Sequence, residues 1–121
     1  MTDDLDMLAD TLNELFERAE GVFAKLRVRA TVPVRNGCEL GFRKWTTSKT
    51  TREWRLVWLV PGKEPALLLS TSRETRVAAV QEIPNLHRAL LGQQSVRVDE
   101  IRKAIEELET YLDGLEAEGN G

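Results

Sequence analysis

At 121 residues the chain has the length of one domain, enough to bury a core without disulfide or metal staples. Its 41% apolar and 31% charged residues place it with globular rather than disordered chains, and no apolar run approaches the ~18 residues that a bilayer span needs. The formal charge of −3 conceals a segregation: residues 1–24 carry seven acids against one base, residues 25–63 ten bases against two acids, and residues 64–121 eleven acids against six bases.

A basic block between acidic ones has two physical outcomes. Either the acidic segments neutralise it within the fold, or it presents a positive face to an anion. The single cysteine, Cys38, excludes an internal disulfide. Asp3, Asp4 and Asp6 stand where a signal peptide would carry bases, so a cytoplasmic location is expected.

In chain order, residues 3–26 are expected to be helical. Leu5, Leu8, Leu12, Leu15, Ala19, Val22 and Leu26 step 3-4-3-4-3-4, the seam of a heptad helix, and Phe16 and Phe23 widen that stripe toward the core. Residues 27–70 read as a four-stranded antiparallel meander. In RVRATVPVR (27–35), Val28, Ala30, Val32 and Val34 alternate with polar residues, and Pro33 places the strand at an edge because it cannot donate to a ladder.

Asn36-Gly37 signals a hairpin. A two-residue turn there sets the apolar faces of the two strands on opposite sides of the sheet. A three-residue loop, Arg35 to Gly37, sets Val32 opposite Leu40 and Ala30 opposite Phe42, with Gly37 in the left-handed position of a bulge. Burial of one face selects the second register. The second strand covers 38–45, a polar, flexible-looking loop follows at 46–52, and EWRLVWLV (53–60) reads as a central strand. Pro61-Gly62 turns the chain into a short fourth strand, 66–70.

A helical segment is expected over 71–91, with Thr71 and Glu74 in capping-box spacing and Gly92 as its stop. The C-terminal helix is expected over 97–116, on a second heptad seam of Val98, Ile101, Ile105, Leu108, Leu112 and Leu115, before a frayed tail at 117–121. The fold class is therefore α+β: a helix, a four-stranded antiparallel meander, then two to three helices packed on the sheet, in a single domain spanning 1–121.

The candidate site is the outward face of the meander. The chosen register places Arg29 opposite Arg43; with Trp54, Leu56 and Trp58 of the third strand on the buried face, Arg43 can fall opposite Arg55. Like charges directly opposite destabilise a sheet, so this ladder asks for a counter-charge. Phosphates of a nucleic acid are one source, with Trp45 as a stacking platform, Lys44 beside it on the second strand, and Lys49 and Arg52 on the adjoining loop; Glu39, Glu53 and the acidic helices are another. Trp54 and Trp58 share a face with Leu56 and belong to the core. A second candidate is the corner Ser70–Arg76, where Arg73 and Arg76 stand one turn apart at a helix start and suit a phosphate.

No enzyme is expected. His87 is the only histidine and has no motif around it, Cys38 has no activating neighbour in sequence, and one Cys with one His cannot build a structural zinc site. No cofactor and no membrane contact is expected. Two function classes remain: a non-catalytic accessory protein that self-associates or binds a protein partner through its helices or a sheet edge, and a small nucleic-acid-binding protein.

Overall fold

The computed structural model describes residues 2–120. The chain is α+β: α1 (Thr2–Ala24), β1 (Ala30–Pro33), β2 (Glu39–Thr46), β3 (Arg52–Leu59), β4 (Ala66–Leu67), a 3-10 turn (Leu68–Ser70), α2 (Arg73–Val80) and α3 (Ile83–Asn120). The strands form one antiparallel sheet in the order β1-β2-β3-β4.

The hairpin follows the three-residue loop. Val32 pairs with Leu40 and Ala30 with Phe42, the Val34 N–H donates to the Cys38 carbonyl at 2.9 Å, and Gly37 takes φ +77°. β1, with Pro33 at its end, is an edge strand. Residues 27–29, expected in this strand, lie outside it, however. Arg27 adopts φ +56° and its N–H donates to Ala24, a left-handed exit that ends α1 and delays the strand to Ala30. The fourth strand also closes early, at Leu67, because the chain tightens into the 3-10 turn.

One face of the sheet carries the core. Leu40, Phe42 and Leu56 are sealed under Phe16 and Phe23 of α1, Ala79 of α2, and Leu86 and Leu90 of α3, with Trp54 and Trp58 packed at the margin. Phe23 meets the edge of Phe42 at 5.8 Å and stacks on His87 at 5.4 Å, which makes His87 a packing residue. The face of α1 turned to the sheet runs through Leu12, Phe16, Ala19, Glu20 and Phe23, whereas Leu5, Leu8, Leu15 and Val22 of the heptad seam are exposed. The phenylalanines lie at the centre of the buried stripe rather than at its edge, and half the seam points away from the core.

Glu20 is the one buried charge among the described residues. Beyond the two residue pairs that β3 shares with β4, the edge of β3 has no strand beside it. Glu20 closes that edge. Its Oε2 accepts from the Leu56 N–H at 2.7 Å and from Arg55 Nε at 3.0 Å, so one carboxylate stands in for a missing ladder bond and neutralises a sheet arginine.

The C-terminal region departs from the expected pattern. α3 is one continuous helix of 38 residues, roughly 57 Å long at 1.5 Å per residue, and it runs through Gly92 without a break. A helical glycine costs only about 1 kcal/mol, which the buried Leu86 and Leu90 on the preceding turns offset. The 71–91 segment accordingly divides between α2 and α3, and the gap before residue 97 is absent. The helix holds as far as Asn120, where fraying was expected; Gly121 lies outside the described residues. Only the first third of α3 packs on the sheet. From Ser95 to Gly119 every residue is exposed. The cap of α2 is Ser72, whose Oγ accepts from the Thr75 N–H at 3.3 Å, so the Thr71/Glu74 box does not form.

Two stability measurements follow. Glu20→Ala leaves the Leu56 N–H and the Arg55 guanidinium without a partner and should lower unfolding free energy by about 3 kcal/mol in chemical denaturation; Glu20→Gln, which keeps an acceptor, should cost about half as much. Arg27→Gly relieves a left-handed backbone at an exposed position and should raise stability by about 0.5 kcal/mol.

Candidate functional site

The arginine ladder forms in part. Arg43 pairs directly with Arg55 across β2 and β3. Arg55 has its counter-charge within the fold: Glu20 at 3.0 Å, and Glu53 at the 4.0 Å limit of an ion pair. An acidic helix and a neighbouring strand residue thus neutralise one rung. Among the described residues no acid lies within ion-pair distance of Arg29, Arg43, Lys44, Lys49 or Arg52.

These bases collect where β2 outruns β1. β1 begins at the Ala30–Phe42 pair, so residues 43–46 of β2 are hydrogen-bonded to β3 alone. A cleft at this open edge is lined by Arg29, Arg43, Lys44, Trp45, Thr46, Arg52 and Trp54. A second cleft continues from Arg29 and Arg43 along Ala30 and Thr31 to Gln93 and Arg97 of α3. The two share Arg29 and Arg43, and neither is lined by an acid. The Arg43 guanidinium lies 5.9 Å from the Trp45 ring centre, and the Lys44 ammonium 5.6 Å from that of Trp54, so cation–π contacts hold both bases against the sheet.

The loop between β2 and β3 is closed on itself. The Thr47 N–H and hydroxyl both donate to the Thr51 carbonyl, at 2.9 and 3.2 Å, and the Thr51 N–H donates to Ser48 Oγ at 3.1 Å. Lys49 is exposed in this turn and lines neither cleft. Arg97 and Gln93 belong to the site but not to the sequence expectation. Their signal is invisible without the fold, because it depends on α3 running past β1.

The Ser70–Arg76 corner uses its own polar groups. Ser70 Oγ donates to the Leu67 carbonyl at 2.8 Å, Thr71 Oγ1 to that of Leu68 at 2.6 Å, and Arg76 Nη1 to that of Leu69 at 3.2 Å. Arg76 is half-buried and acts as a brace between the 3-10 turn and α2, while Arg73 is exposed on a separate cleft beside Val34 and Val77. The corner and the arginine ladder do not share a cleft.

The other surface feature is the outer part of α3. Val98, Ile101, Ile105, Leu108, Leu112 and Leu115 expose between 40% and 60% of their surface, in one continuous stripe. Among the described residues no helix is long and apolar enough to cross a membrane, and no group of three His, Cys, Asp or Glu side chains lies together as a metal site would require. Comparison of the chain with protein-family models, curated proteins and solved structures finds no match.

Proposed function

We propose that this chain is a non-catalytic interaction protein that self-associates through the outer part of α3. The observation that carries the reading is that stripe of six half-exposed aliphatic side chains at heptad spacing, on a helix that extends beyond the sheet it packs against. Scattered exposed leucines are ordinary, but a continuous apolar seam on a helix that packs against nothing is the signature of a surface covered by another helix. Most helical stability in proteins comes from packing of an amphipathic face rather than from propensity, so the outer turns draw theirs from a partner.

A second reading is supported by the clefts around Arg29 and Arg43. Unpaired bases, a cleft lining without acids, and two tryptophans beside them suit a polyanion, and single-stranded nucleic acid is the class that engages both charge and ring. The two readings use different surfaces apart from Arg97, which lines the basic cleft and borders the α3 seam.

Sedimentation equilibrium should return more than the mass of one chain, and Ile105→Glu with Leu108→Glu should return it to one chain while tryptophan fluorescence stays native. A wild type that remains monomeric at millimolar concentration removes the first reading. For the second, labelled single-stranded oligonucleotides should bind in anisotropy titrations. Affinity should fall about three hundredfold between 50 and 200 mM salt if six phosphates are engaged, and binding should be lost in Arg29→Gln/Arg43→Gln/Arg52→Gln, which spares the structural Arg55. No binding at low salt removes it.

A further inference from the structure

Resting on the self-association reading, we infer that the occupant of the α3 seam is the same seam of a second copy, lying antiparallel, with Ile105 opposite Leu108 of the partner subunit. In heptad terms Val98, Ile105 and Leu112 take the a positions and Ile101, Leu108 and Leu115 the d positions. An antiparallel two-fold pair sets each a against a d of the other chain. Centred on Ile105 and Leu108, it stacks Val98 on Leu115 of the partner subunit and Ile101 on Leu112 of the partner subunit, so all six side chains on each copy are covered with none left over.

The flanking residues decide the direction. Bases occupy the near end of the seam's border, Arg97 and Arg102, and acids the far end, Glu109, Glu116 and Glu118. In a parallel pair the g and following e positions meet, which brings Arg97 against Arg102 of the partner subunit and gathers the acidic ends of both chains. In the antiparallel pair e meets e and g meets g. Arg102 then faces Glu109 of the partner subunit, Arg97 faces Glu118 of the partner subunit, and Ala104, the smallest border residue, faces Tyr111 of the partner subunit. Two-fold symmetry makes each of these contacts twice. The remaining acids, Asp99, Glu100, Glu106, Glu107 and Asp113, sit at b and c positions on the outer side, where water screens them. Within one chain, Arg97 has only an exposed 3.6 Å contact with Glu100, too weak to withhold it from a partner.

The test uses a Cys38→Ala background, so that the only thiol is the one introduced. Val98→Cys chains and differently tagged Leu115→Cys chains, mixed and oxidised, should cross-link to each other, while Val98→Cys alone should not cross-link to itself. Arg102→Glu should weaken the dimer by about tenfold in sedimentation equilibrium, and Arg102→Glu/Glu109→Arg should restore it, since the two residues lie seven apart on one helix and meet only between chains. Efficient self-cross-linking of Val98→Cys, or a double variant no tighter than Arg102→Glu, overturns the antiparallel pairing and leaves self-association standing. A chain that never exceeds the monomer mass overturns both.

Discussion

One carboxylate holds the two halves of the molecule in register. Glu20 reaches from α1 to the open edge of β3, where it answers the Leu56 N–H and the Arg55 guanidinium together. An unpaired buried N–H and an unpaired sheet arginine would each be expensive, and a single side chain removes both costs. The position of α1 follows from this, because Phe16 and Phe23 sit one turn before and one turn after the region of Glu20 and so fall onto Phe42 and Leu56. The same contact blocks a strand edge that would otherwise be open to another chain. The edge of β2 beyond Phe42 has no such guard, and its bases stand there instead.

The charge segregation along the chain is thus resolved unevenly. Among the described residues the acidic N-terminal helix neutralises one arginine of the ladder and no other base of the meander. Arg29 and Arg43 remain side by side on a shared cleft, with Arg97 brought in from α3. Positive potential concentrated where the chain has spent no acid is a property of the surface, not of the fold, and it leaves the sheet's stability to its apolar face.

The meander was legible because its signals are local and mutually exclusive. Only one loop length puts Val32, Leu40, Phe42 and Leu56 on one side, and Gly37 supplies the left-handed residue that loop needs. The helices were less legible. A heptad seam marks an apolar stripe but does not say what faces it: Leu12 and Ala19 of the α1 seam pack on the core, whereas Leu8, Leu15 and Val22 point outward. Gly92 carries a stop signal that the flanking leucines override, and propensity of about 1 kcal/mol is a weak voice against buried side chains. Of the candidate site, Arg29, Arg43, Lys44, Trp45 and Arg52 share a cleft; Arg55 turned out to serve the core, Arg73 and Arg76 lie elsewhere, and Arg97 was hidden because its approach depends on tertiary structure.

The length of α3 has one more consequence. The sheet and the helices packed on it contain all the buried side chains among the described residues, so their order is set by the chain itself at any dilution. The turns beyond Ser95 bury nothing of their own. Under the self-association proposed above, their helicity is tied by mass action to how many molecules are present, which makes the outer two-thirds of the helix a gauge of the protein's own abundance: ordered when copies are plentiful, and the first part open to proteases when they are scarce.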